Sequence, residues 1–148
     1  MQITLSAVFA SIVAAATASI VPVERSTCAE AARFGVVTFT PTTVAPGDTL
    51  TVTADFTCAI SYGINPEYTD YYIEVPVNNN GYEPNILLTR RTPSTPTDTF
   101  TVQLPYAPYN ADASYSLVLE TTYPINGTNG PYSVVGGVDN GITITSTA

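Results

Sequence analysis

The chain has 148 residues, 12 of them acidic and 4 basic, for a formal charge of −8, and it contains neither lysine nor histidine. Such a surface repels phosphate backbones and anionic lipid, so nucleic-acid binding and membrane-surface roles are not expected. Without imidazole, Ser-His-Asp and Cys-His catalysis and most zinc and copper sites are excluded, which leaves carboxylate chemistry as the enzymatic route.

Residues 1–18, MQITLSAVFASIVAAATA, read as a secretory signal peptide. Ile3 to Ala16 form an apolar run too short for a comfortable membrane span, and Ala16-Thr17-Ala18 supplies the small-x-small pattern of a cleavage site. No cation precedes the run, so orientation rests on the amino terminus. Cleavage before Ser19 leaves 130 residues, enough for one domain. The expected organisation is a signal peptide over 1–18, an N-terminal segment over 19–34 tethered by Cys28, and a β-domain over 35–148. At the other end, Ile142 to Ala148 form no long apolar tail, so a lipid anchor is not expected.

Cys28 and Cys58 are the only cysteines, and an oxidising compartment would join them. The chain-entropy estimate for closing that loop is about 3 to 4 kcal/mol. A two-cysteine metal site would need carboxylates for its remaining ligands, a poor set for zinc.

Ala29 to Phe34 has room for one helical turn. Beyond it, strand periodicity dominates. Val36 to Thr40 is a short β-run, Ala45-Pro46-Gly47-Asp48 is a turn signal, and Leu50, Val52, Ala54, Phe56 and Cys58 then alternate with polar residues. The two runs predict a hairpin. A loop is expected from Ala59 to Asp70, then a strand at Tyr71 to Val75 stopped by Pro76 and the turn cluster Asn78-Asn79-Asn80-Gly81. Ile86 to Arg90, Thr99 to Leu104, and Tyr115 to Glu120 are further strands. A long loop is expected over 121–140, with a short run at Tyr132 to Val135, and a last strand over Ile142 to Thr145. About seven short strands and no amphipathic helix predict an all-β antiparallel sandwich.

Asp112-Ala113-Ser114-Tyr115 followed by Leu117 resembles the tyrosine corner of immunoglobulin and fibronectin type III domains, which implies that class of sandwich. There is no Trp for an antibody-type core, and a Cys28–Cys58 bridge would tether the N-terminal segment instead of joining the second and sixth strands. Val44-Ala45-Pro46-Gly47-Asp48-Thr49-Leu50-Thr51-Val52, Tyr68-Thr69-Asp70-Tyr71-Tyr72 and Pro124-Ile125-Asn126-Gly127-Thr128, with the signal peptide, resemble small secreted Ig-like proteins of basidiomycete fungi. The resemblance implies location and fold and carries over no functional residue. A weaker likeness, limited to the Pro-Gly turn, is to the Ig-like module of fungal cell-wall β-glucan assembly proteins.

Glu67, Asp70 and Glu74 are the densest carboxylates near aromatic residues, the pairing a glycoside hydrolase would use. The simpler reading is that Glu74 faces outward from its strand and that Glu67 and Asp70 are solvated loop acids. Asp48, Asp70, Asp98 and Asp112 could offer oxygen to calcium, but no D-x-D-x-D-G run appears. Neither a metal nor a cofactor is expected. Tyrosine is the recognition-type residue, 10 against 5 Phe. In an Ig-like strand order the loops over 59–70 and 121–140 would emerge together, making Tyr62, Tyr68, Tyr123 and Tyr132 neighbours with Glu67 and Asp70 at their edge. The competing reading is that these tyrosines pack the loops.

Asn126-Gly127-Thr128 is a glycosylation acceptor, and a glycan in that loop would obstruct a flat site. Arg90-Arg91 has the form of a processing site, although a strand end explains it more simply. The expected function is a secreted, non-catalytic module of the cell wall or matrix whose partner is a wall polysaccharide or an extracellular protein. The alternatives are an effector or inhibitor docking on a protein through Tyr-rich loops, and a carboxylate-dependent glycoside hydrolase. The sequence assigns no oligomeric state, and any open sandwich leaves edge strands able to add to another chain.

Overall fold

A computed structural model describes residues 28–79, 81, 83–94 and 96–145. The signal peptide read at 1–18, the segment 19–27 and the chain from residue 146 lie outside the described residues.

Alternation builds the first sheet as the sequence predicts. β1 (Val36–Thr40) buries Val37 and Phe39, and β3 (Thr49–Asp55) buries Leu50, Val52 and Ala54. The two pair antiparallel with Val37 opposite Ala54. Pro46 and Gly47 turn the chain into β3: Gly47 has φ +90°, the Asp48 amide donates to the Ala45 carbonyl at 3.0 Å, and Pro-Gly at the central positions is what a type II turn requires. β6 (Thr97–Gln103) completes the three-stranded sheet β1-β3-β6, with Thr53 and Thr99 hydrogen-bonded across the strands at 3.0 Å.

After β1 the chain passes a cis Thr40–Pro41 bond and crosses to the second sheet as β2 (Thr43–Val44). That sheet runs β2-β8-β7-β4-β5, with β4 (Tyr68–Glu74), β5 (Ile86–Arg91), β7 (Tyr115–Gly127) and β8 (Gly130–Ile144). Its inner face contributes Thr69, Tyr71, Ile73, Leu117, Leu119 and Thr121, all 1% exposed or less. Burying each large apolar side chain contributes about 1.5 to 3 kcal/mol, so the core between the layers is the main source of stability. The fold is an all-β sandwich with one disulfide.

Polar clasps close both open sides of the sandwich. On one side Arg91 of β5 grips Asp98 of β6, with Nη2–Oδ1 at 2.8 Å, and its guanidinium stacks 4.4 Å above the Phe100 ring. On the other, Asn140 Nδ2 of β8 donates to the Val37 carbonyl of β1 at 3.2 Å. Burial pushes the Tyr71 phenol up to about 12, and its ring meets Phe100 edge-on at 4.8 Å.

Three expectations are corrected. The strand read through Cys58 ends at Asp55, because the Asp55 carboxylate accepts the Thr57 amide at 2.8 Å and starts helix α1 (Thr57–Ser61). Cys58 therefore sits on a helical turn; the hydrogen bonds from Thr57 also hold the Asp55 carboxyl below the usual carboxylate range. The loop expected over 59–70 is shorter at both ends, since α1 runs to Ser61 and Tyr68, Thr69 and Asp70 belong to β4. The long loop expected over 121–140 is strand instead: β7 and β8 pair without a register break from Tyr115↔Ile142 to Gly127↔Gly130.

Candidate binding surface

Cys28 and Cys58 are bridged, with Cα atoms 5.5 Å apart. Residues around the bridge serve it. The Tyr62 hydroxyl donates to the Cys28 carbonyl at 2.6 Å, the Arg33 guanidinium lies 5.8 Å above the Tyr62 ring, and Ser61 Oγ donates to the Cys58 carbonyl. Tyr62 is thus a strut of the N-terminal segment, although its ring is partly open to solvent.

The phase of β4 decides the other candidates. Thr69, Tyr71 and Ile73 face the core, so Tyr68, Asp70, Tyr72 and Glu74 face away from it. Asp70 is bound bidentately by Arg90, with both N–O distances 2.7 Å, and the same guanidinium stacks 4.3 Å from the Tyr68 ring. The hydrogen bond to Asp70 raises the Arg90 pKa. Tyr68, Arg90 and Asp70 form one closed stack on the sheet, which leaves Asp70 only 4% exposed. Glu67 is exposed, and its amide donates to the Thr122 carbonyl at 2.7 Å.

Tyr123 and Tyr132 lie on the opposite face of the second sheet from Tyr68. Tyr68 is registered with Thr122, so Tyr123, one residue on, projects toward the inner face; its ring packs on Phe34 at 6.1 Å. Tyr132, opposite Ile125, shares that phase beyond the end of β4 and lies over Gly127, where an added Cβ would come within 2.9 Å of its ring. The four tyrosines therefore do not form one platform: Tyr62 and Tyr123 brace the N-terminal segment, Tyr68 stacks on Arg90, and Tyr132 covers the hairpin tip. Asn126 is exposed on β7 one residue before the strand ends, not in a loop, and its phase is that of Tyr68. A glycan there would leave on the face opposite Tyr132.

What the register does assemble is the outer face of the second sheet. Across it run Tyr68, Thr122 and Val135; then Arg90, Asp70, Glu120 and Gly137; then Leu87, Tyr72, Val118 and Asp139; then Glu74, Ser116 and Gly141. Gly137 and Gly141 keep the β8 side of this face low. Burial, then the charges of Glu120 and Asp139, push the Glu74 carboxyl above its usual range, while Asn85 Nδ2 donates to it at 2.6 Å. Burial and then the Asp70 and Glu120 carboxylates raise the Tyr72 phenol. Sequence reasoning missed Tyr72, Glu120 and Asp139 as a group because it read 121–140 as a loop, which left Asp139 with no register beside Val118 and Tyr72. The glycines of β8 hide the period-two pattern that would have revealed it.

A raised carboxyl pKa means that the folded state holds the proton more tightly than the unfolded state. Ionisation of Glu74 therefore costs stability as pH rises from the ordinary 4.5 through the raised folded value. Glu74→Gln keeps the acceptor for Asn85 and removes the charge. It is expected to stabilise the protein at neutral pH by about 0.5 kcal/mol, with the difference fading at acidic pH, as urea melts at several pH values would record.

Among the described residues, no three His, Cys, Asp or Glu side chains are grouped to hold a metal ion. Asp48 accepts the Ala45 amide at 2.8 Å in its own turn, and Asp98 is paired with Arg91. Arg90 and Arg91 are both engaged within the β5 ladder. No helix among the described residues is long and apolar enough to cross a membrane. Neither family models nor curated proteins give a match to this chain.

Proposed function

We propose that this chain is an exported, non-catalytic binding module of the cell wall or extracellular matrix, and that it works through the outer face of the five-stranded sheet. The observation that carries this reading is the gathering of Glu74, Glu120 and Asp139 from three adjacent strands around Tyr72, at a cost to folding that Glu74 registers in its raised pKa. Natural sequences tolerate such local conflicts mainly where a surface is used. A flat face bearing an aromatic ring and several carboxylates suits an extended polymer that offers apolar ring faces, hydroxyls and positive charge, so a cationic amino-sugar polysaccharide fits it best.

The bridge between Cys28 and Cys58 supports export to an oxidising compartment. The strand order, β1-β3-β6 against β2-β8-β7-β4-β5, supports an immunoglobulin or fibronectin III-like sandwich of the sort the basidiomycete resemblance implies. So does the corner at Tyr115, whose hydroxyl accepts the Asn110 amide at 2.8 Å. Hydrolase chemistry is the weaker reading, because Asp70 is already neutralised by Arg90. Docking on a foreign protein draws support from Tyr132, which is more than half exposed at the hairpin tip.

Binding to insoluble chitin, its deacetylated cationic form, β-glucan and cellulose tests the proposal. Retention should be strongest on the cationic polymer, fall with added salt, and drop about fivefold in Tyr72→Ala and in Glu74→Gln. Retention on no polysaccharide, with a protein co-purifying through Tyr132, would transfer the function to the docking reading. Sugar release lost in Asp70→Asn would make the chain an enzyme.

A further inference from the structure

Among the described residues, one edge of β8 is paired only at its C-terminal end. Its Thr143 and Thr145 amides point away from β7 and donate to Thr42 and Val44 at 3.0 and 2.8 Å. Because the β7–β8 register is unbroken, the same alternation aims the N–H and C=O groups of Ser133, Val135, Gly137, Asp139 and Gly141 outward. Among the described residues no strand pairs there, since β2 takes the edge only at Thr143–Ile144. Native edges are usually blunted by lysine, proline, bulges or short length. The run from Ser133 to Gly141 has no lysine, proline or register shift, and Asp139 is the only Asp, Glu, Lys or Arg between Thr121 and Thr145.

We infer that this edge pairs antiparallel with the same strand of a second copy, about a two-fold axis at Gly137, to join two five-stranded sheets into one. Self-complementarity of the edge favours a second copy over a foreign strand. With the axis at Gly137, Ser133 faces Gly141 of the second copy, Val135 faces Asp139, and glycine faces glycine, so all five outward residues of each copy are used. That gives about ten backbone hydrogen bonds. No two carboxylates stand opposite each other, whereas an axis at Asp139 would set them face to face. On the inner face Val134 of the second copy comes opposite Asn140, beside an apolar cleft of about 400 Å³ lined by Ala29, Ala32, Val36 and Val138. Two copies that each carry −8 repel at long range, but the paired strip is nearly uncharged and salt screens the remainder.

Charge reversal at one position tests both the pairing and its register. Val135 is 59% exposed on the outer side, so neither variant disturbs the core. Sedimentation equilibrium of the exported chain from micromolar to millimolar concentration should show a monomer–dimer equilibrium. Val135→Asp, which sets aspartate against Asp139 twice per dimer, should weaken it about tenfold, and Val135→Lys should leave it unchanged or tighten it at low salt. The Val135, Gly137 and Asp139 amides should exchange more slowly as the dimer forms.

A chain monomeric at every concentration would overturn the inference. So would equal effects of aspartate and lysine, or slow exchange of these amides that appears only when a foreign protein is added. Loss of polysaccharide binding has no bearing on the outcome, because the edge and the carboxylate face are tested separately.

Discussion

Replacing both cysteines, Cys28→Ala with Cys58→Ala, is expected to destabilise the protein by about 3 to 4 kcal/mol in urea melts, the largest effect of any change outside the sandwich core. The bridge spans 30 positions of chain, and its partners come from segments that share no β-ladder: Cys28 precedes the turn at Glu30–Ala32, and Cys58 lies on α1. Without it, the contacts left on the N-terminal segment include the Tyr62 hydroxyl on the Cys28 carbonyl, the Arg33 guanidinium over the Tyr62 ring, the Thr121 hydroxyl on the Phe34 carbonyl at 2.8 Å, and the Phe34 ring on Tyr123. Each such hydrogen bond contributes about 1 kcal/mol, too little to offset the entropy of ordering that segment. Tyr62→Phe should therefore cost about 1 kcal/mol with the bridge intact. A double-cysteine variant that loses less than about 1 kcal/mol would show that the segment unfolds independently of the two sheets.

The sandwich was legible because its best strands are regular. β3 reads as alternation because one face meets the core and the other carries threonine, and the Pro46-Gly47 turn sets where it begins. Elements with no periodicity of their own escaped notice. β2 has two residues and exists because β8 offers it an edge, and α1 begins where the Asp55 carboxylate accepts the Thr57 amide and turns a segment that otherwise continues the strand pattern. The second half of β7 and most of β8 read as loop because Pro124, Gly127, Gly130, Gly136, Gly137 and Gly141 are strand-breaking by propensity. Pairing with a long partner strand overrides that propensity, and Tyr132 and Phe34 supply over Gly127 and Gly136 the side-chain cover the glycines lack. The site was misread for the same reason: once β7 and β8 are strands, the tyrosines divide between two faces, and the carboxylates of β4, β7 and β8 come together.

Gly136 carries the second large expectation. It faces inward opposite Thr121, and an added Cβ would stand 2.2 to 2.5 Å from three atoms of the Phe34 ring. The glycine is required by this close approach, with no positive φ involved. Gly136→Ala must expel the ring, and with it the Phe34–Tyr123 contact and the seat of the Thr121 bond, for an expected loss of about 2 kcal/mol and a change in the near-ultraviolet signal of tyrosine. A double-mutant cycle isolates the cause. In a Phe34→Ala background the space over residue 136 is open, and alanine suits a strand better than glycine, so Gly136→Ala should there be neutral or slightly stabilising. An equal loss in both backgrounds would mean that residue 136 is constrained by the β7–β8 ladder itself, and that the aromatic lock between the N-terminal segment and the hairpin contributes little to the fold.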